Sequence, residues 1–363
     1  MAEETAAPAI DFDTVMVGTI EVPEADKLDL DQLTAWFEAH VEGYEGPISY
    51  TKFKGGQSNP TYRIDTPQTS YVLRRQPFGK LLPSAHAVDR EYAAMTGLYP
   101  TGFPVPRTYG LCEDPEVIGS KFFVMSLADG RSLWNGALPS CSKEDRRAIY
   151  NAMIDTMADL HTKDPQAIGM GDFGKPDDYC ARQISRWTKQ YKLSETEHQP
   201  KMERMIEWLP QTIPPQHVSS VVHGDYRLDN MIFARDENRV IAVLDWELST
   251  LGDPIADFSY LMLNWQNASD GRAGLAGLDL AELGIPTQEE AVERYVARTG
   301  YPVPPMDWYF GYNLFRLAGI MQGIKKRVID GTASSAHAKG MSERVTPLIE
   351  RAYDFAVAAG MPE

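Results

Sequence analysis

The chain has 363 residues, of which 43% are hydrophobic, enough for two ordinary domains or one domain of two lobes. Its net charge of −16 argues against a nucleic-acid-binding surface, because such a surface needs clustered Lys and Arg. The three cysteines, Cys112, Cys141 and Cys180, lie far apart and form no paired metal or redox motif, which argues against a disulfide framework.

The pattern of apolar residues does not indicate a membrane protein. No apolar run reaches the roughly 18–20 residues of a membrane span, and the acidic start, Met1 to Glu4, differs from a secretory signal. We therefore expect a cytoplasmic protein without nucleic-acid or membrane partners, and the sequence gives no indication of its oligomeric state. Residues 1–30 carry eight acids against one basic residue, Lys27, and predict an extended acidic arm.

Residues 31–127 carry the pattern of a small, sheet-rich lobe. Asp31 is suited to cap a helix that ends near Val41. A second helix is expected from Ser84 to Tyr99. Alternating apolar residues predict antiparallel strands over residues 48–53, 61–64, 71–74, 108–111 and 121–127.

Residues 128–363 are mainly helical in pattern. Asp253 and Pro254 suit the cap and first turn of one helix. Sheet first and helices after indicates an α+β chain of two lobes. Further helices are predicted over residues 143–162, 177–191, 201–208, 288–299, 305–329 and 336–358.

The stretch from Val221 to Asn230 carries the strongest chemical pattern. A short apolar strand leads to Asp225, Asn230 follows five positions later, and a second apolar strand ends at Asp245. Phosphoryl transfer needs such a layout: Asp225 would accept the proton of the attacking hydroxyl, while Asn230 and Asp245 would hold Mg²⁺ through oxygen ligands. The structural alternative is a β-hairpin with solvated acids.

These residues resemble the aminoglycoside phosphotransferase-like family of small-molecule kinases, over about residues 53–323. The resemblance is greatest to kinase domains fused to acyl-CoA dehydrogenases. It implies a bilobal protein-kinase-like fold and transfer of the γ-phosphate of ATP, or alternatively GTP, to a small-molecule hydroxyl with the help of Mg²⁺. It is carried by His223-Gly224-Asp225, Leu244-Asp245-Trp246-Glu247, Leu251-Gly252-Asp253-Pro254 and the segments 55–62 and 315–323.

The loop after the first long strand is a candidate phosphate cover. Gly55 and Gly56 let backbone N–H groups come close to a phosphate, and Ser58 adds a hydroxyl. An ordinary surface loop is the alternative.

The resemblance also assigns the nucleotide cleft. It implies that Arg74, with Arg75 as the alternative, holds the phosphates and pairs with Glu91 on the next helix; a solvated acid is the alternative for Glu91. Arg can bind phosphate through two hydrogen bonds, so it can replace the Lys of protein kinases. Backbone groups of Ser126 and Leu127 would bind the adenine edge.

Arg316 lies in an apolar helix and needs a partner, because an unpaired buried charge is costly. That partner is either a carboxylate such as Asp257, which by the resemblance supports the catalytic loop, or an anionic group on the substrate. The second alternative predicts an acceptor other than a polycationic aminoglycoside. The substrate pocket around Arg316 would be lined by Trp265, Tyr309 and Tyr312.

Two other functions are open to this sequence. A pseudokinase would keep the fold and bind nucleotide without turnover, although every expected base and metal position is filled. A protein kinase is disfavoured because no Ala-Pro-Glu activation segment follows Asp245.

Overall fold

The computed structural model describes residues 17–55, 59–78, 86–269, 272–331 and 338–363. The first lobe contains the strands β1 (Thr19–Ile20), β2 (Ser49–Phe53), β3 (Thr61–Asp65), β4 (Ser70–Arg75), β5 (Thr108–Cys112) and β6 (Phe122–Ser126). They form one six-stranded sheet in the order β1-β2-β3-β4-β6-β5, and each neighbouring pair is antiparallel. The predicted antiparallel first lobe is confirmed.

Two helices flank this sheet, α1 (Leu30–His40) and α2 (Val88–Leu98). The cap of α1 differs from the prediction. The carboxylate of Asp29 accepts from the N–H groups of Asp31 and Gln32, each at 3.1 Å. Because the helix begins at Leu30, Asp31 lies inside the first turn and cannot cap it.

The acidic segment before α1 joins the sheet. Strand β1 pairs with β2, and Asp26 forms ion pairs with Lys52 at 2.6 Å and Arg75 at 3.0 Å. The limits proposed for the arm (1–30) and for the lobes (31–127 and 128–363) stay predictions.

The second lobe is mainly helical, as predicted, so the α+β, kinase-like two-lobed fold is confirmed. The predicted helix over 336–358 is divided in two. Within the described residues, no helix has the combination of length and apolarity that crossing a membrane requires. The helices are α3 (Lys143–Thr162), α4 (Tyr179–Ser194), α5 (Pro200–Trp208), α6 (Pro254–Gln266), α7 (Leu280–Leu283), α8 (Gln288–Thr299), α9 (Asp307–Ile329), α10 (Ala338–Ser342) and α11 (Val345–Ala358).

Short strands bring the polar motif to the junction of the lobes. These strands are β7 (Arg131–Ser132), β8 (Ser220–Val222), β9 (Met231–Phe233), β10 (Val240–Val243) and β11 (Thr250–Gly252). The first small sheet has the order β10-β9-β7, and in the second β11 pairs with β8. Helices α6 and α9 form the buried centre behind them, and the carboxylate of Asp253 caps α6 by accepting from Ile255 N–H at 2.8 Å.

The cap of α1 can be tested with two neighbouring aspartates. Asp29→Ala removes the acceptor of two backbone N–H groups and should lower the free energy of unfolding by about 0.5–2 kcal/mol. Asp31→Ala should change it by less than about 0.5 kcal/mol, as surface substitutions usually do. Urea unfolding of both variants measures this. A larger loss of unfolding free energy in Asp31→Ala than in Asp29→Ala would contradict the observed cap.

Candidate active site

A buried carboxylate on α6 holds the loop after β8 that carries Asp225. Asp257 accepts from the backbone N–H of His223 at 2.7 Å and of Gly224 at 2.9 Å. His161 Nε2 lies 3.3 Å from the same carboxylate. Gly224 has φ +82°, a conformation that glycine adopts without steric cost. The chain therefore turns sharply after β8 and presents Asp225 at its end.

His223 connects the two ends of the motif. Its Nδ1 accepts from Asp225 N–H at 3.1 Å, and its Nε2 donates to the carbonyl of Leu244 at 2.9 Å. This pair of bonds requires the neutral ring with the proton on Nε2. The histidine thus fixes the backbone on the approach to both Asp225 and Asp245.

Three side chains surround the carboxylate of Asp225. Tyr260 donates its hydroxyl to Oδ1 at 2.8 Å, Arg227 Nε lies 3.4 Å from the same oxygen, and Asn230 Nδ2 lies 3.3 Å from Oδ2. Burial raises the pKa of Asp225, but the Arg227 charge and the Tyr260 hydrogen bond outweigh it, so the net shift is downward. The group is therefore a carboxylate at neutral pH.

Asn230 and Asp245 offer oxygen atoms to the same space. Asn230 Nδ2 donates to the Asp225 carbonyl at 2.8 Å. Among the described residues, the amide oxygen of Asn230 accepts no hydrogen bond. The Leu244 N–H donates to the Asn230 carbonyl at 2.8 Å and joins the two segments. Asp245 has φ +67°, which is uncommon for a residue other than glycine. Carboxylate and amide oxygens are ligands that suit Mg²⁺.

Arg74 lies between the lobes among three carboxylates. Its Nε donates to Glu91 and its Nη2 to Asp245 Oδ1, both at 2.7 Å. The charge of Glu247 also acts on it. Burial and the nearby Asp245 raise the pKa of Glu247 to about 7. Three acids around one arginine leave local negative charge, which favours a bound cation.

Arg75 lies on the opposite face of the sheet, as strand alternation requires. Its guanidinium contacts Tyr62, Asp26 and the ring of Phe78. The cleft-facing arginine is therefore Arg74.

The other predicted nucleotide contacts are placed only in part. Gly55 follows β2, whereas Gly56 and Ser58 lie outside the described residues. Ser126 ends β6, and its N–H donates to the Arg107 carbonyl at 2.8 Å. Because this N–H is occupied, the predicted contact of Ser126 with the adenine edge would use its carbonyl. Leu127 follows in the connection between the lobes.

Core contacts account for the three aromatic residues predicted to line the substrate pocket. The Trp265 indole donates to the Pro286 carbonyl at 2.8 Å, and the Tyr309 hydroxyl lies 3.4 Å from Asp253. Tyr312 stacks on Trp308, with ring centroids 5.6 Å apart. All three are at most 7% exposed. Their substrate-lining role stays a prediction, because the apolarity of a helix does not show which of its faces meets the cleft.

Arg316 is buried, with 5% exposure, and its partner is not Asp257. It donates to the carbonyl of Gly224, and its guanidinium lies 5.3 Å from the centre of the Tyr260 ring. Its Nε makes no hydrogen bond among the described residues. Asp257 is instead occupied by the loop backbone and His161.

Sequence reasoning missed several side chains of this site. Asn59 is fully buried and donates to Glu247 at 3.1 Å. Tyr260 and Arg227 both contact Asp225. The positions of Glu247 and Arg227 inside the motif were a usable signal, whereas nothing local marks Asn59 or Tyr260.

A model of the phosphotransferase enzyme family matches residues 49–300, more than half of the chain. The chain belongs to the phosphotransferase enzyme family. This confirms the predicted resemblance and the predicted enzyme class, a small-molecule phosphotransferase.

Two further relatives of this phosphotransferase are informative. Mouse acyl-CoA dehydrogenase family member 10 is 44% identical over 87% of the chain, which spans only 30% of that relative's length. A crystal structure from Ralstonia eutropha JMP134, provisionally named an aminoglycoside phosphotransferase, is 48% identical with a TM-score of 0.83 and covers 92% of this chain and 99% of its own.

A more distant structure shares the fold alone. Spectinomycin phosphotransferase, solved with ADP and spectinomycin, is 11% identical, has a TM-score of 0.59, and covers 91% of this chain and 99% of its own.

The hydrogen bonds from the loop to Asp257 predict that the stability of the protein depends on pH. Burial raises the pKa of Asp257, but His161 and the backbone N–H groups lower it further, so the folded value lies below the unfolded one. Its contribution is therefore present above about pH 4 and lost as the pH falls through the folded value. Asp257→Asn should lower the free energy of unfolding by about 2–3 kcal/mol at neutral pH.

Urea unfolding at neutral pH and at roughly pH 3 tests this, since the difference between wild type and variant should shrink in acid. Asp236→Asn, in an exposed turn, is the matched control. An undiminished difference at low pH would contradict the lowered pKa.

Proposed function

We propose that this chain transfers the γ-phosphoryl group of ATP to a hydroxyl of a small molecule. The family match supplies the phosphotransferase class. One observation carries the rest: the Asp225 carboxylate, the Asn230 amide oxygen and Asp245 are held together by hydrogen bonds among Asp225, Asn230 and Leu244. A base and two oxygen donors in one place are what phosphoryl transfer requires.

Each residue has a definite task in this proposal. Asp225 accepts the proton of the acceptor hydroxyl and orients its oxygen toward the γ-phosphorus. Arg74, steadied by Glu91, contacts the phosphates. The amide oxygen of Asn230 and a carboxylate oxygen of Asp245 would hold Mg²⁺, which would supply positive charge to offset the charge of the phosphates.

The remaining nucleotide contacts complete the proposed cleft. Gly55, together with Gly56 and Ser58, would cover the phosphates. The carbonyl of Ser126 and the backbone of Leu127 would meet the adenine edge. The relative solved with ADP supports a nucleotide in the cleft, and GTP is the alternative donor. The cytoplasmic location stays a prediction.

The role of Asp225 in turnover can be tested without knowing the acceptor. Asp225→Asn keeps the shape of the side chain but removes the proton acceptor, so kcat for Mg-ATP turnover should fall by about 10²–10⁴-fold while ATP still binds. Isothermal titration of ATP and steady-state kinetics measure the two effects. Asp236→Asn should leave both unchanged. Equal kcat in wild type and Asp225→Asn would contradict the role of Asp225, whereas ATP binding by wild type without any turnover would favour the pseudokinase alternative.

A second candidate concerns the acceptor, which we propose carries an anionic group. Arg90, Arg186 and Arg316 form no ion pair with a carboxylate among the described residues. Burial and the charges of Arg316 and Arg90 lower the pKa of Arg186, so cationic neighbours act on this side chain. Unpaired arginines that repel one another favour a bound carboxylate or phosphate.

This local charge opposes the overall charge of −16. Arg316 contacts Gly224, the residue before Asp225, so the basic group adjoins the proposed base. A hydroxy acid or an acyl-CoA-linked hydroxy compound fits this chemistry better than a polycationic aminoglycoside. The relative named as an acyl-CoA dehydrogenase supports the same direction.

The acceptor proposal can be tested on one helix. Arg186 lies on α4 one turn after Arg182, which donates to the carbonyl of Lys175 at 2.6 Å. Arg186→Gln should raise KM for an anionic acceptor about 10-fold or more, by loss of one charged hydrogen bond. Arg182→Gln should not, and KM for ATP should stay constant in both.

A panel of short hydroxy acids, their coenzyme A thioesters and kanamycin supplies the probes for this test. Efficient phosphorylation of kanamycin, with no turnover of any anionic compound, would refute the anionic acceptor while leaving the kinase assignment intact.

A further inference from the structure

Tyr260 lies on α6 beside the proposed base and has no place in the motif pattern. It is 9% exposed, and its hydroxyl donates to Asp225 Oδ1 at 2.8 Å. Burial and the Asp225 charge raise the pKa of Tyr260 above its usual value. The phenol therefore stays protonated and acts toward the carboxylate only as a donor.

The two oxygens of Asp225 are unequally engaged. Oδ1 receives the Tyr260 hydroxyl and lies 3.4 Å from Arg227 Nε. Oδ2 has only the long contact of 3.3 Å from Asn230 Nδ2. A short hydrogen bond from an O–H group lowers the basicity and the rotational freedom of the oxygen that accepts it. Oδ2 is consequently the better-placed proton acceptor.

The same helix holds the backbone of the loop. Asp257 lies three residues before Tyr260, a spacing that puts both side chains on one face of α6. Asp257 binds the N–H groups of His223 and Gly224, while Tyr260 binds the Asp225 side chain. Helix α6 thus fixes the position of the loop and the rotation of its carboxylate together.

Arg316 supports the tyrosine from the other side. Its guanidinium lies 5.3 Å from the centre of the Tyr260 ring and donates to the Gly224 carbonyl. The ring is thereby confined between a buried cation and the catalytic loop. Removing the hydroxyl alone, with the ring kept, isolates the contact to Asp225.

We propose that Tyr260 is a positioning residue that ties down Oδ1 of Asp225 and leaves Oδ2 to take the acceptor proton. This inference rests on the proposed function. In the step, the acceptor oxygen forms a bond to the γ-phosphorus, the bond from that phosphorus to the β–γ bridging oxygen breaks, and ADP leaves. The acceptor proton moves to Oδ2 and is later released to water.

The test uses the full chain and Mg-ATP, with water as the acceptor. Tyr260→Phe should lower kcat by roughly 10- to 100-fold, since a small misplacement of a catalytic group has effects of this size. KM for ATP should change by less than about twofold, because Tyr260 does not touch the nucleotide in the proposed arrangement. In an Asp225→Asn background, Tyr260→Phe should lower kcat by less than about twofold, because there is no base left to position.

Tyr150→Phe is the matched control. Its hydroxyl is also buried and donates to a backbone carbonyl, that of Gly136, at 2.7 Å. It should lower the melting temperature without changing kcat of the folded protein. A melting curve of Tyr260→Phe shows whether a fall in kcat comes from unfolding or from slower turnover of the folded protein. The substitution keeps the ring and therefore its packing.

The outcomes separate the two proposals. If wild type hydrolyses ATP and Asp225→Asn does not, while Tyr260→Phe keeps wild-type kcat, the positioning role is refuted and the kinase proposal stands. An equal loss from Tyr260→Phe in the wild-type and Asp225→Asn backgrounds also refutes it. Absence of Asp225-dependent turnover in wild type would overturn both.

Discussion

The site depends on the hydrogen bonds from the His223 and Gly224 N–H groups to the Asp257 carboxylate. A buried carboxylate is costly unless hydrogen bonds replace its water. Here two backbone donors and His161 do so. The same bonds fix the turn that carries Asp225 to the end of β8. The Asp257 carboxylate thus obtains its hydrogen-bond donors from the same loop that it holds in position. Loss of the carboxylate or of the N–H groups would leave a buried polar group unpaired.

Arg74 has a comparable task between the lobes. It extends from the sheet of the first lobe to Glu91 within that lobe and to Asp245 in the second. Because the two carboxylates would otherwise repel each other, the guanidinium is needed to bring the lobes' acids together. Asn59 makes a second connection of this kind to Glu247. The cleft is therefore defined by charge balance as well as by shape.

Arginine side chains lie beside the loop after β8, although the molecule as a whole is acidic. The net charge is −16, yet Arg227 and Arg316 lie against the loop, and burial and the charge of Arg316 lower the pKa of Arg186. Overall charge acts on solubility and on long-range steering, whereas the side chains around a site decide what can be desolvated there. An acidic chain is therefore compatible with the proposed anionic acceptor.

The sequence by itself determined the features that are encoded locally. Spacing placed Asp225, Asn230 and Asp245 on neighbouring loops, strand alternation put Arg74 and Arg75 on opposite faces, and helix periodicity gave the ends of α3 and α8. The predicted cap at Asp31 was wrong, because the helix begins at Leu30, two residues earlier than a cap at Asp31 requires. Only the tertiary structure decided which faces of α6 and α9 meet the loop. It brings Tyr260 to Asp225 across 35 residues and Arg316 to Gly224 across 92. It also places Trp265 in the core. Local hydrogen bonding and periodicity are written along the chain, but the rotation of a helix that is apolar all round is set by packing against its neighbours.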